Sequence, residues 1–402
     1  MLVNLPPMGW NSWNTFGENI NDELIRQSAD KMVELGLDKA GYKYIVIDDC
    51  WSERQRDPET GRIVPDHVKF PNGMKAVADY VHSKGLKFGM YSCAGVRTCA
   101  DYPGSFDNEF LDAKTFAEWG VDYLKYDYCN FPKSANGPTA YRRMGNALRA
   151  CGRDIVYSLC NWGSDDVWSW VRSAGGHLYR STGDIFDTNV SFASIAKSQL
   201  QKFCFSGNNC FNDMDMLTVG MFGKGNVGRT EGTCTMETYK TQFALWCLMG
   251  SPLMLGCDLR EMTPEVLALV TNKDLLSFNQ DPEARPAFVA NRYLRGPVSQ
   301  QIPDHVVLAK LLTNGDLALG FFNLTDRPGE FFLQFDDLGF PASTGFGLRL
   351  TDVFTGKEFG LFSEQMKMAG EPFHCAVFRA HPNPARPASP DCATTSAEMK
   401  NI

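Results

Sequence analysis

Several ordinary signals are missing from this chain, and each absence closes off a class of function. No CxxC pair occurs among its 13 cysteines, which argues against a structural zinc site. The number is odd and the positions are scattered, so a fully bridged secreted scaffold is not expected, and most of the cysteines should be buried thiols of a reducing compartment. Positive charge is in deficit, with 39 Lys and Arg against 47 Asp and Glu for a net charge of −8. With no basic cluster interleaved with aromatics, nucleic acid is not the expected partner. No run approaches the roughly 18–20 apolar residues of a membrane span, so no membrane partner is expected either. The opening MLVNLPPMGWNSW lacks a charged n-region followed by an apolar h-region. As it stands the chain is expected to be cytoplasmic, or secreted if a signal peptide has been removed from it.

What is present is a rhythm. Up to about residue 280, short apolar runs alternate with amphipathic stretches. Candidate strands are 8–13, 42–49, 86–92, 122–127, 155–160, 178–182, a weaker 210–217, and 252–256; helical spacing stands out over 22–35, 108–119, 236–249 and 263–271. Strands alternating with helices pair in parallel through right-handed crossovers, and eight such units make a closed (β/α)8 TIM barrel. The competing open, doubly wound sheet usually carries a Gly-rich phosphate turn after its first strand, and GWNSWNTFG holds no GxGxxG. After NQDPEARP the segments HVVLAKLL, DLALGFFNL, GEFFLQF, FGLRLTDVF and HCAVFRA, separated by turn signals, predict an antiparallel β-sandwich domain. The expected division is a catalytic barrel over 1–285, a β-sandwich over 286–382, and a Pro-, Ala- and Ser-rich disordered tail over 383–402.

In a barrel of this kind the residues at the C-terminal ends of the strands face the ligand. Those ends gather Trp13, Asp48 with Asp49 and Trp51, Tyr91, Lys125 with Asp127, Cys160 with Asn161 and Trp162, Arg180 with Asp184, and Asp213 with Asp215. Within YLKYDYCN, the spacing of Lys125, Asp127 and Cys129 places all three on one strand face. Carboxylates so placed can hold a divalent metal or flank a glycosidic bond. Lys125 and Arg180 among them neutralise much of the charge a metal would need, and Trp and Tyr beside carboxylates suit a sugar. Other readings stay open residue by residue: Asp48 as a helix cap, Asp127 as a plain ion pair with Lys125, Asp184 as a turn residue, the tryptophans as core.

The motifs PPMGWNSWNTF, YIVIDDCW, KFGMYSCAGVRTCADYPGS, YLKYDYCN, YSLCNWG, RSTGDI, FNDMDML and ALWCLMGSPLMLGCDLREM, in this order, resemble glycoside hydrolase family 27 of clan D. The resemblance implies a retaining exo-α-galactosidase that works by double displacement, without cofactor or metal, on a terminal α-galactoside of an oligosaccharide or glycoconjugate; whether it forms a homo-oligomer is left open. By the motifs, Asp127 is the nucleophile and Asp184 the acid/base, with Trp13, Asp48, Asp49, Tyr91, Cys99, Lys125, Cys129, Arg180 and Asp215 binding sugar. Lys125 is then expected to hold Asp127 ionised. The resemblance also implies a Cys99–Cys129 disulfide, and leaves Cys50 a thiol or paired with another cysteine such as Cys93. The loop CNWG is similar to that of microbial members, with Trp162 filling space near the sugar 2-position and Asn161 standing where many relatives carry Glu. Galactose is therefore expected over an N-acetylated sugar. An α-N-acetylgalactosaminidase, a β-L-arabinopyranosidase, a catalytically silent sugar-binding protein and a metal-dependent barrel enzyme using Lys125 as base are the competing readings.

Overall fold

The computed structural model describes residues 2–291 and 304–384. Eight parallel strands, β1 (Met8–Asn11), β2 (Tyr44–Val46), β3 (Lys87–Cys93), β4 (Tyr123–Asp127), β5 (Val156–Cys160), β6 (Leu178–Arg180), β7 (Phe211–Asp213) and β8 (Leu253–Leu255), form one sheet in the order β7-β6-β5-β4-β3-β2-β1-β8. Just past β7 the chain closes the ring, where Leu217 N donates to Met254 O (2.8 Å) and Gly256 N donates to Leu217 O (3.0 Å). The barrel is thus complete; seven of the eight strands fall within the expected segments, and β3 runs one residue past its segment, to Cys93.

Both faces of these strands are covered, which is why apolar residues dominate them. One set of alternating residues, including Ile45, Phe88, Leu124, Leu159 and Leu255, packs outward under the helices. The other set, Tyr44, Val46, Tyr123, Val156, Leu178, Phe211 and Met254, plugs the barrel interior. Two residues further along β4 the same inward face carries Lys125, then Asp127. The apolar plug ends there and a polar chamber begins.

Helices at Asp22–Glu34, Gly73–Ser83, Glu109–Trp119, Gly137–Ala150, Asn189–Gln199 and Met236–Leu248 lie between successive strands. Those at Gly73, Gly137 and Asn189 are not singled out by the sequence, since each opens on residues typical of turns. Asn136 resolves one such case: its side chain accepts from Thr139 N and caps the helix that Gly137-Pro138 begins. Between β5 and β6 two short 3-10 turns, Ser164–Ser169 and Val171–Ala174, take the place of a helix.

The second domain contains β9 (Phe288–Val289), β10 (His305–Leu311), β11 (Leu317–Asn323), β12 (Gly329–Gln334), β13 (Phe346–Asp352), β14 (Glu358–Phe362), β15 (Gln365–Gly370) and β16 (Cys375–Pro384). Six of them form an antiparallel sheet, β14-β13-β16-β11-β10-β9, with β12 and β15 paired beside it. Strand alternation divides β10 between two cores: Val306 and Leu308 pack toward the barrel, while Val307 and Ala309 pack toward the β12–β15 pair. The helix Met236–Leu248, pressed between barrel and sheet, is buried from Thr238 to Leu248 except at Lys240. The expected disordered tail lies almost wholly outside the described residues; at its start, Asn383 and Pro384 still pair in β16 with Gly347 and Phe346.

Candidate active site

A cavity of about 300 Å³ opens at the C-terminal end of the barrel. Its floor is built from β2, β3 and β4. Asp48 accepts from Asn11 Nδ2 (2.7 Å), Ser12 Oγ accepts from Asp48 N (3.0 Å), and Lys125 Nζ lies 2.8 Å from Asp48 Oδ2. Asp49 accepts from Cys50 N (2.7 Å) and Ala100 N (3.1 Å). No helix follows this pair, so the carboxylates are not caps. Cys50, directly after this pair, holds a φ of 72°, a left-handed conformation that L-residues seldom adopt.

Asp127 ends β4 and is 6% exposed. Tyr128 N donates to its Oδ1 (2.9 Å) and Tyr91 Oη to its Oδ2 (3.0 Å). Burial pushes this carboxyl up to about 6, against the pull of the Lys125 charge and the Tyr128 and Tyr91 hydrogen bonds. The expectation that Lys125 holds Asp127 ionised is corrected in part. The ammonium pairs directly with Asp48 and acts on Asp127 only through space, and desolvation outweighs it.

Cys129 does not share the strand face of Lys125 and Asp127, because β4 ends at Asp127 and Cys129 sits in the turn beyond. From there it forms a disulfide with Cys99, whose sulfur is 3.6 Å from Asp127 Oδ2. Cys50 and Cys93 are both free thiols, so they are not paired with each other. Cys99, Asp127 and Cys129 offer atoms within 4.8 Å of one another, a metal-like cluster, but both sulfurs are taken by the bridge.

The opposite wall comes from β6 and β7. Buried Arg180 reaches Asp215 Oδ1 (2.9 Å) and Asp184 Oδ1 (3.0 Å), and donates to Gly183 O (2.9 Å). Asp215, with φ 76°, also accepts from Ile185 N (2.8 Å) and Met216 N (2.7 Å). Asp184 stands at the mouth with its side chain 66% exposed. Asp213 lies behind the wall, where its Oδ1 accepts from Asp215 N (2.9 Å) and burial pushes the carboxyl up to about 6.

Trp13, Asp48, Asp49, Tyr91, Cys99, Lys125, Asp127, Arg180, Asp184 and Asp215 therefore share one cavity. Cys129, Asn161 and Trp162 do not line it. Asn161 is buried with its Nδ2 on Ser164 O (2.8 Å), and Trp162, 37% exposed, meets Tyr128 edge-on at 6.4 Å. The lining also includes Asn14, Ile185, Phe186, Met216, Asn226, Val227 and Arg229, which sequence reasoning did not pick out. The last three come from the loop 217–235, whose run GKGNVG reads as a turn and carries no motif.

With that geometry in place, comparison with known proteins becomes specific. The family model described as "Alpha galactosidase A" matches residues 5–281, and "Alpha galactosidase C-terminal beta sandwich domain" matches 303–380. The chain belongs to the α-galactosidase family of glycoside hydrolases. Among family members, "Alpha-galactosidase 3" of Arabidopsis thaliana is 47% identical over 281 residues, 70% of this chain and 61% of that protein. The α-galactosidase of Cyamopsis tetragonoloba is 41% identical over 345 residues, 85% of this chain and 78% of its own. The crystal structure of α-galactosidase I from Mortierella vinacea superposes with a TM-score of 0.83 at 30% identity, covering 94% of this chain and 97% of that one. The Saccharomyces cerevisiae α-galactosidase solved with raffinose gives the same TM-score at 27% identity, covering 94% and 98%. A β-L-arabinopyranosidase from Geobacillus stearothermophilus, 23% identical, shares the fold.

Proposed function

We propose that this chain is a retaining exo-α-galactosidase in which Asp127 attacks the anomeric carbon and Asp184 serves as acid and then base, with raffinose-type α-galactosides as substrates. The carrying observation is the contrast between the two carboxyls. Asp127 is buried, fixed by two hydrogen bonds and, among the described residues, free of any direct ion pair, as a nucleophile needs. Asp184 stands at the mouth, where it can give a proton to a leaving oxygen and take one from water. Asp48, Lys125, Asp49 and Arg180 supply donors and acceptors for the sugar hydroxyls between them, and Trp13 offers a ring for its C–H face. A dead-end cavity of this size accommodates one sugar residue, which favours attack on chain ends. An affiliation with the microbial members rests on SLCNWG alone.

The test is hydrolysis of p-nitrophenyl glycosides of α-galactose, α-N-acetylgalactosamine and β-L-arabinopyranose by wild type, Asp127→Asn and Asp184→Asn. Wild type should prefer α-galactose, with the α-anomer of galactose appearing first by NMR. Asp127→Asn should retain less than about a thousandth of the rate. Asp184→Asn should lose far more on raffinose than on the nitrophenyl glycoside, whose leaving group needs no proton. Release of the β-anomer first, or equal losses on both substrates in Asp184→Asn, would overturn the assigned roles.

A further inference from the structure

We propose that Phe186 and Arg229 form a leaving-group subsite, a second sugar-binding platform at the pocket mouth that receives the residue to which galactose is attached. The inference rests on the α-galactosidase reading and extends it outward. Below Asp184 the cavity is closed by the Asp48–Lys125 pair and Asp127. Whatever lies beyond the scissile oxygen must therefore sit outward of Asp184. Phe186 is two residues on, an apolar ring 39% exposed on the cavity lining. The Arg229 guanidinium lies over that ring, its Cζ 4.1 Å from the centroid.

Three cations line the cavity. Lys125 is taken by Asp48, and Arg180 by Asp184 and Asp215. Arg229 makes no ion pair among the described residues; one N–H donates to Gly228 O (2.7 Å). The contact with Phe186 holds the guanidinium at the mouth, and its unspent donors suit vicinal hydroxyls of a neutral hexose.

The platform is also pre-positioned. Val227 N donates to Asn14 O (3.0 Å), Asn226 N to Thr15 O (3.1 Å), and Asn189 N to Gly232 O (3.1 Å). Buried Asp187, next to Phe186, accepts from Gly223 N (2.6 Å) and Tyr239 Oη (2.9 Å). The loop bearing Arg229 and the loop bearing Phe186 are thus tied to one hub, and little ordering remains for the ligand to impose.

The experiment compares kcat/KM for an α-galactosyl-(1→6)-glucose disaccharide and for α-galactosyl fluoride, whose leaving group occupies no sugar subsite, in wild type, Arg229→Ala, Arg229→Lys and Phe186→Ala. Arg229→Ala and Phe186→Ala should each lower the disaccharide value about tenfold while leaving the fluoride value within about twofold, with inhibition by free galactose unchanged. Arg229→Lys, which keeps charge but loses the planar fork, should fall between wild type and Arg229→Ala. Parallel loss on both substrates, or no loss on the disaccharide, overturns the subsite while leaving the galactosidase reading intact. A wild type that turns over neither substrate overturns that reading and the subsite with it.

Discussion

Asp127 shows how a single residue can set activity against stability. Its carboxyl, ordinarily near 3.8, is pushed to about 6 in the fold by burial. The group binds its proton more tightly when folded, so its contribution to stability is fully present below the unfolded value and is lost as pH rises through about 6. At pH 7 the ionised form costs on the order of 3 kcal/mol, taking about 1.4 kcal/mol per unit. Asp127→Asn is expected to melt at a higher temperature than wild type at pH 7, with the gain fading as pH falls from 6 toward 4. A lower melting temperature at pH 7 would contradict this. In wild type, kcat/KM should drop tenfold per pH unit below about 6. Asp213, pushed up to the same value, lies behind the wall, so Asp213→Asn should leave that acid limb in place.

At the scale of elements, the site is assembled from strand ends and the loops that follow them. Strand periodicity could place Lys125 and Asp127 because both lie within β4, and it misplaced Cys129 because the strand stops two residues earlier. The Cys99–Cys129 bridge ties the loop after β3 to the turn after β4 across a sequence separation of 30. Closing a loop of that length in the unfolded chain is worth about 3–4 kcal/mol. Cys99→Ser, or treatment with a reductant, should lower stability by about that amount. It should also reduce kcat/KM, since Cys99 packs against Asp127 and Tyr91. Denaturant titration and initial rates before and after reduction check both outcomes; unchanged rates would remove the bridge from the site. Strands β14 and β15 escaped the sequence reading because they lack the Val-, Leu- and Phe-rich runs of their neighbours: EFGLF buries only Phe359, and QMKMAG buries only Met366 and Met368.

At the scale of the whole molecule, the β-sandwich is fastened to the barrel through a buried cation. Lys310 on β10 is 1% exposed and donates to the Phe278 carbonyl near the end of the helix Lys273–Asn279. Burial lowers its amine from 10.5 to about 8. The neutral form is favoured by folding, so the charged form weighs on stability below pH 8 and that weight lifts as pH rises toward 10.5. Lys310→Met should therefore raise the melting temperature at pH 7 and lose the advantage above about pH 9, read by calorimetry. A drop at pH 7 would show that the contact with Phe278 outweighs the desolvation of the charge.

Much of this protein was legible in its residues. Periodicity located all eight barrel strands, because strands buried on both faces are mostly apolar, and the polar residues at their ends had to face the chamber. The ordered motifs pointed to the family. Tertiary structure decided what depends on long-range proximity. It paired Lys125 with Asp48 across 77 positions and left Asp127 without a direct ion pair among the described residues. It kept Trp162 and Asn161 off the cavity wall, and it brought Arg229 onto Phe186. None of these has a local signature, because desolvation and charge pairing follow distances in space that spacing along the chain does not encode.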